Sequence, residues 1–213
     1  MTKERNIKII TLGDTCVGKT SIIKRIIDKN FSDHQLATIG TEVSVLQVPY
    51  KKKDINMKLA FYDTAGQERY QNALPKNYMR DSHIVLLVFC DQKSLEVLKR
   101  RWYDLYKETC DIKNSKFIVI GNKSDLFREE KEEIKKSGKN FAEEIDAFFI
   151  TCSAKSEDNI DNVEEHIVTE SKRLIDEMEK ESGQKDNKAG NSKFEQKGEK
   201  IKNKKVEKKS GCC

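Results

Sequence analysis

The sequence predicts an α/β fold with a six-stranded, mostly parallel sheet and helices on both faces. Six short apolar runs rich in β-branched residues are typical of strands, and segments with helical apolar spacing lie between most of them. Strands that alternate with helices favour parallel pairing, and such a sheet is covered by helices on both faces. Ligands bind beyond the carboxyl ends of the strands in these sheets, so functional residues are expected there.

The expected elements are taken in chain order. Strands are predicted at 7–12, 43–48, 57–62, 84–90, 116–120 and 147–152. The lysine-rich turn 51–54 lies between the second and third of these, as in a hairpin. Helices are expected near 19–28, 93–110, 131–145 and 159–180. The last helix has an apolar stripe at helical spacing, formed by Ile160, Val163, Ile167, Leu174 and Met178.

Length and composition allow one ordinary domain with an appendage. The 213 residues are 36% charged and 36% hydrophobic, and two prolines with ten glycines exclude collagen-like and proline-rich classes. The longest apolar run, 84–90, has seven residues, whereas a membrane helix needs roughly 20. The N-terminus lacks an apolar signal segment and residue 2 is Thr, so neither secretion nor N-myristoylation is expected. A cytosolic chain is therefore expected, unless another feature brings it to a membrane.

The positive charge is concentrated at one end of the chain. Residues 179–213 contain eleven lysines and six acidic residues, which accounts for the whole net charge of +5. This segment has few large apolar residues, so it cannot bury enough surface to offset the entropy of ordering. We therefore expect a folded unit at 1–178 and a flexible lysine-rich tail at 179–213.

Six cysteines are scattered along the chain without C-x-x-C spacing. A zinc site is therefore not expected, and neither is a disulfide framework in a cytosolic chain of this size. The adjacent pair at the end of the chain, Cys212-Cys213, needs a separate explanation.

A phosphate-binding loop is predicted at Gly13–Thr20, which matches G-x-x-x-x-G-K-[ST] in full. The motif follows a predicted strand and opens a predicted helix, where successive backbone N–H groups form a cradle for anions. Lys19 is expected to reach the β and γ phosphates, and the Thr20 hydroxyl to bind Mg²⁺. The remaining predicted phosphate-binding residues are Asp14, Thr15, Cys16, Val17 and Gly18. The alternative is an ordinary glycine-containing turn between a strand and a helix.

A second motif, Asp63-Thr64-Ala65-Gly66, follows the third predicted strand. Asp63 is a candidate to hold Mg²⁺ through a water molecule, and the Gly66 N–H is a candidate contact of the γ-phosphate. D-x-x-G alone matches many ordinary turns. The motif indicates a nucleotide site only because a phosphate-binding loop precedes it in the chain.

Two further segments predict recognition of guanine. In Asn122-Lys123-Ser124-Asp125, the Asp125 carboxylate can accept hydrogen bonds from guanine N1–H and the 2-amino group, which adenine cannot offer. Ser153-Ala154-Lys155 follows the last predicted strand, where a backbone N–H could meet guanine O6. Asn122-Lys123-Ser124 is also a glycosylation sequon, an alternative that requires secretion.

The four motifs in this order resemble the Ras-superfamily small GTPases, over roughly residues 6–178. The resemblance implies a small-GTPase fold with a phosphate-binding loop, and slow hydrolysis of GTP until a partner supplies an arginine. It implies that Thr38 binds Mg²⁺ and the γ-phosphate, that Phe31 stacks on guanine, and that Gln67 is catalytic and orients the attacking water. Taken alone, Phe31 is more typical of a core aromatic and Gln67 of an ordinary surface residue.

The terminal Cys212-Cys213 resembles the double geranylgeranyl signal of the Rab branch. Two such chains, at about 0.8 kcal/mol per buried CH₂, would anchor the protein firmly, and lysines within 197–209 would add attraction to anionic lipid. A basic nuclear or nucleic-acid-binding patch is the alternative. It leaves the adjacent cysteines unexplained, so no nucleic-acid partner is expected.

Other segments also resemble Rab proteins, and some depart from them. Ala37-Thr38-Ile39-Gly40 and the stretch 74–82 are similar to the Golgi-associated branch, although 69–78 is one residue longer. Rab proteins usually carry Phe, Trp and Phe where this chain has Val43, Tyr62 and Tyr70. These positions contribute to the surface that effectors contact, so partner choice does not carry over.

The leading hypothesis is a GTP/GDP switch in vesicle trafficking, which recruits effectors at the cytoplasmic face of a Golgi or vesicle membrane and cycles with the cytosol. The resemblance implies an exchange factor, a GTPase-activating protein, a GDP-dissociation inhibitor and a prenyltransferase escort as partners of a monomeric G domain. One alternative is a membrane-anchored GTP-binding adaptor with negligible hydrolysis. Another is a Ras- or Ran-like signalling protein, which the terminal cysteines disfavour.

Overall fold

The computed structural model describes residues 3–33, 38, 40–64, 76–126 and 131–191, without the side chains of 76, 77, 131 and 181–191. Six strands form one sheet in the order β2-β3-β1-β4-β5-β6. Their bounds are β1 Lys3–Leu12, β2 Thr41–Tyr50, β3 Ile55–Thr64, β4 Ile84–Phe89, β5 Lys116–Gly121 and β6 Phe148–Thr151.

The sheet is parallel except at one edge. β1 lies between β3 and β4, and β5 lies between β4 and β6, all in parallel pairs. β2 pairs antiparallel with β3 through the turn Lys51–Lys53, in a register that places Val43 opposite Tyr62. The predicted six-stranded, mostly parallel sheet with one hairpin is confirmed.

Helices connect most of these strands: α1 Lys19–Asp28, α2 Lys76–Met79, α3 Gln92–Val97, α4 Asp104–Thr109, α5 Lys131–Glu144 and α6 Ile160–Asn191. The segment predicted as one helix at 93–110 is α3 and α4, joined by the π-helical stretch Leu98–Tyr103. α6 continues beyond residue 180, where the sequence prediction stopped because the apolar stripe ends there. Residues 181–191 include Gly183, Asn187 and Gly190, which are poor helix formers, so local propensity does not explain this extension. By its contacts the chain divides into two units, Met1–Ile175 and Asp176–Cys213.

Both faces of the sheet are buried at its central strands. Alternate strand residues such as Ile10, Val85 and Leu87 contact a cluster that includes Trp102, before α4, and Phe141 of α5. The intervening residues of β4 are as fully buried on the opposite face, and α1 contacts β2 and β3. Buried side chains of this size each contribute roughly 1.5–3 kcal/mol of hydrophobic stabilisation. The sheet is therefore a rigid support for the loops at its edge.

The carboxyl ends of the parallel strands meet at one edge of the sheet. β1 ends at Leu12, β5 at Gly121 and β6 at Thr151, each just before one of the sequence motifs, and β3 ends at Thr64, within the motif that begins at Asp63. No helix among the described residues is long and apolar enough to span a membrane.

Candidate nucleotide-binding site

One cavity of about 370 Å³ opens at the carboxyl edge of the sheet. Its volume lies in the range typical of small-molecule sites. It is lined by the phosphate-binding loop at one end, the phosphate end, and by the two predicted guanine-recognition segments at the other, the base end. Predicted site residues in its wall are Thr15, Cys16, Gly18, Lys19, Thr20, Phe31, Thr38, Asn122, Lys123, Asp125, Ala154 and Lys155.

Two glycines allow the phosphate-binding loop to fold closely against the sheet. Gly13 has φ +153° and Gly18 has φ +93°, both in the region that favours glycine. A Cβ on Gly13 would collide with the Val88 carbonyl oxygen, and one on Gly18 with Asn122 Nδ2. Gly18 is also the N-cap of α1 and offers no side-chain cap. The first N–H groups of α1 are therefore available to an anion.

The Lys19 side chain is 5% exposed and supplies a cation to the cavity wall. Its Nζ donates to the carbonyl oxygens of Gly13 at 2.9 Å and Asp14 at 2.8 Å. Burial lowers the pKa of Lys19 to about 8, although the negative charges of Asp63 and Asp14 oppose this shift. A buried ammonium is stabilised by an anionic ligand, which fits the predicted contact with phosphate.

The other members of the loop differ in how they take part. Asp14 Oδ1 accepts a hydrogen bond from the backbone N–H of Thr15 at 2.8 Å. Cys16 is exposed and has φ +62°, while the Val17 side chain is buried. Asp14 and Val17 therefore contribute backbone carbonyls to the loop's structure, and their side chains are absent from the cavity wall.

The three predicted metal ligands converge although they lie on separate segments. The Thr20 hydroxyl donates to Asp63 Oδ2 at 2.5 Å, and the Thr38 hydroxyl to the same oxygen at 3.3 Å. The two hydroxyl oxygens are 2.9 Å apart. Asp63 Oδ1 accepts a further hydrogen bond from Thr11 at 3.3 Å. Burial raises the pKa of Asp63, and the hydrogen bond from Thr20 opposes that rise.

This oxygen cluster fits Mg²⁺. Mg²⁺ prefers hard oxygen ligands and is usually held by one or two carboxylates together with substrate phosphates and water. One carboxylate and two hydroxyls beside the phosphate-binding loop match that preference. No cluster of three or more His, Cys, Asp or Glu side chains occurs in the parts of the chain that the structure describes.

At the other end of the cavity, Ser153 orients the Asp125 carboxylate. The Ser153 hydroxyl donates to Asp125 Oδ1 at 2.5 Å and accepts the N–H of Ser156 at 3.1 Å. Ser153 is fully buried, whereas Asp125 is exposed and lines the cavity. A buried hydroxyl thus fixes an accessible carboxylate, as recognition of a base edge requires.

Asn122, predicted to bind guanine, lines the cavity and also forms two buried hydrogen bonds to the backbone. Its side chain is 1% exposed, and Nδ2 donates to the Val17 carbonyl at 2.8 Å. Its Oδ1 accepts the N–H of Ala154 at 3.2 Å. The amide thus joins the phosphate-binding loop to the segment after β6 and holds both ends of the cavity in place.

Sequence reasoning missed Arg25, whose guanidinium lies beneath the base end of the cavity. Arg25 Nε donates to the Ala154 carbonyl at 2.9 Å, and its Cζ is 5.6 Å from the centre of the Phe31 ring. In the sequence it is an ordinary basic residue in the last turn of a helix, where a cation is favourable in any case. Four predicted residues lie outside the described residues: Gly66, Gln67, Cys212 and Cys213.

Comparison with known proteins agrees with this geometry. The Ras family model matches residues 8–173. The Ras-related protein RabC of Dictyostelium discoideum is 34% identical over 165 residues, which cover 76% of this chain and 82% of RabC. Rab-1D of the same organism is 33% identical over 163 residues, 76% of each chain. RABA4b of Arabidopsis thaliana is 35% identical over 157 residues, 73% of this chain and 67% of that protein. The chain belongs to the Ras family and is a divergent, Rab-type small GTPase.

Proposed function

We propose that this protein is a switch in intracellular vesicle trafficking that binds GTP and GDP, hydrolyses GTP to GDP and phosphate, and recruits effectors to membranes. One observation carries the proposal: a single cavity joins a phosphate cradle with a buried cation to an oriented carboxylate at the base end. The volume, the charges and the polarity of its two ends all suit a guanine nucleotide.

Guanine selectivity rests on Asp125. Its carboxylate can accept from both N1–H and the 2-amino group of guanine, whereas adenine offers no such pair of donors. A site built to pair with substrate N–H groups rejects analogues that lack them by about 10⁴-fold or more. The hydrogen bond from Ser153 supports this role, because it limits rotation of the carboxylate.

The residues proposed for GTP hydrolysis belong to the end of the cavity that contains the phosphate-binding loop. Thr20, Thr38 and Asp63, the last through water, would hold Mg²⁺. When bound, Mg²⁺ neutralises charge that develops on the phosphate oxygens. Lys19 donates to the β and γ phosphates, the α1 N-terminus and the Gly66 N–H bind their oxygens, and Gln67 orients the attacking water. The chemistry is positioning and charge stabilisation, so the rate is low without a partner.

An adaptor with negligible hydrolysis is not favoured. The members of the Ras family that this chain matches are GTPases.

Effector and membrane contacts complete the proposal. Val43 and Val45 of the edge strand β2 are 50% and 49% exposed, and Val43 lies opposite Tyr62, which supports an apolar effector surface there. Prenylation of Cys212 and Cys213, with the lysine-rich tail, would attach the protein to a Golgi or vesicle membrane. The regulators would be an exchange factor, a GTPase-activating protein, a GDP-dissociation inhibitor and a prenyltransferase escort.

Single-turnover phosphate release with Mg²⁺ tests the hydrolytic part. We expect slow release from the wild type and its loss in Gln67→Leu. Gln47→Leu, which alters an exposed glutamine of β2, is the matched control and should hydrolyse like the wild type. Tight GTP binding without phosphate release from the wild type, even over many hours, would contradict the proposal.

A further inference from the structure

Arg25 of α1 links three parts of the base end of the cavity. Its Nε donates to the Ala154 carbonyl at 2.9 Å and its Nη2 to the Lys155 carbonyl at 3.2 Å. Its Nη1 contacts Glu157 Oε1 at 2.5 Å and the carbonyl of Lys29, the C-cap of α1, at 3.3 Å. The Arg25 side chain is 11% exposed, and its contact with Ala154 is partly buried, whereas its contacts with Lys29, Lys155 and Glu157 are exposed.

The same guanidinium lies against the opposite wall. Arg25 Cζ is 5.6 Å from the centre of the Phe31 ring, within the range of a cation–π contact. Phe31 and Ala154 both line the cavity, on segments that are distant in sequence. Arg25 therefore ties the segment after α1 to the segment after β6.

An ion pair joins the same two segments at the surface. Lys155 Nζ is 3.0 Å from Asp33 Oδ1, and both side chains are more than half exposed. The hydrogen bond from Lys155 to Asp33 and the charge of Asp33 raise the pKa of Lys155. Asp33 and Lys155 also line the cavity, so this pair crosses its mouth.

We propose that Arg25, together with the Lys155–Asp33 ion pair, forms a latch that sets the rate at which the bound nucleotide leaves the cavity. The inference rests on the proposed guanine-nucleotide binding at this site. For a base to leave, the wall containing Phe31 and Asp33 must separate from the wall containing Ala154 and Lys155. Arg25 is a positioning residue here, since it holds both walls without lining the cavity itself.

The two parts of the latch contribute unequally. Arg25 has a mostly buried side chain that donates to three carbonyls and one carboxylate, and its planar fork matches acceptors in several directions, which lysine cannot do. The Lys155–Asp33 pair is exposed, so it is weaker and screened by salt. Loss of Arg25 should therefore have the larger effect, and loss of the ion pair should depend on ionic strength.

The test is the release of fluorescent mant-GDP from the full chain, chased with excess GDP. Arg25→Ala is expected to release nucleotide at least about tenfold faster, as loss of charged hydrogen bonds predicts. Arg25→Lys should fall between it and the wild type. The matched control is Glu164→Ala, which removes an exposed ion pair with Lys29 at 2.6 Å outside the cavity wall. Its release rate should equal that of the wild type.

A salt series tests the ion pair. Asp33→Asn is expected to accelerate release up to about fivefold at low salt and to have little effect at high salt. In a Lys155→Gln background it should add nothing, because its partner is already gone. An equal effect in both backgrounds would show that Asp33 acts elsewhere and would overturn the ion-pair part.

A last comparison distinguishes an effect of the latch on the release rate from an effect at the phosphate end and from a loss of folded protein. With EDTA present, all release rates rise, but the Arg25→Ala to wild-type ratio should persist, since the latch acts on the base end. Disappearance of that ratio, or equal rates for Arg25→Lys, Arg25→Ala and the wild type, would refute the latch. Failure of the folded wild type to bind mant-GDP would instead refute the proposed function.

Discussion

Replacing Asn122 by alanine is expected to destabilise the first unit strongly. The amide donates to the Val17 carbonyl at 2.8 Å and accepts the Ala154 N–H at 3.2 Å, both in buried surroundings. Leaving a buried backbone group without its partner costs about 1–3 kcal/mol, so two such groups predict a loss of about 2–6 kcal/mol. This is a large fraction of the 5–15 kcal/mol that typically stabilises a domain.

Urea denaturation followed by circular dichroism measures this loss. Bound nucleotide stabilises the folded state by mass action, so each variant is unfolded at two GDP concentrations to separate weaker binding from weaker folding. Asn162→Ala is the control, because Asn162 is exposed and its amide donates to Asn159 Oδ1, at 2.9 Å, on the surface of the chain. A change in Asn122→Ala within about 0.5 kcal/mol of this control, the usual range for surface substitutions, would refute the bridging role.

Two further predictions concern the base end and the pH dependence of stability. Ser153→Ala removes the donor to Asp125 and should weaken GDP binding about tenfold, the effect of one charged hydrogen bond; an unchanged dissociation constant by titration calorimetry would count against it. Burial lowers the pKa of His83, whose Nδ1 accepts the Lys8 N–H at 2.9 Å. The unfolded state therefore binds more protons below about pH 6.5, and stability should fall as the pH drops through that range. His83→Asn should flatten this dependence in urea melts, and an unaltered slope would exclude His83 as its source.

Local sequence signals predict the six strands and the longer helices, though not the short helix α2, and they identify motif residues that line the cavity. The bounds of α1 were predicted as observed, because Gly18 and the apolar spacing mark its start and course. The lysine-rich turn also correctly predicted the hairpin of β2 and β3. Motif residues such as Lys19 and Asp63 converge because the parallel strands that precede them end at one edge.

Residues that act through distant contacts were not predictable in this way. Arg25 contacts Ala154, 129 positions away, and nothing in the local pattern of α1 distinguishes it from a solvated basic residue. The sequence predicts Asn122 as a guanine-binding residue, but it does not reveal that the amide also bonds to two backbone groups that only the folded chain brings together. The π-helical stretch Leu98–Tyr103 also has no recognisable sequence pattern, since α-helices and π-helices contain the same apolar residues.

The most direct test of the central claim is competition among GDP, ADP and XDP for the cavity, measured by displacement of mant-GDP from the wild type and from Asp125→Asn. Asp161→Asn, an exposed carboxylate outside the cavity wall, serves as the control. The account predicts that the wild type and the control bind GDP at least about 10⁴-fold more tightly than ADP. Asp125→Asn should prefer XDP over GDP. Equal wild-type affinity for ADP and GDP, or full retention of GDP affinity in Asp125→Asn, would contradict guanine recognition by this site.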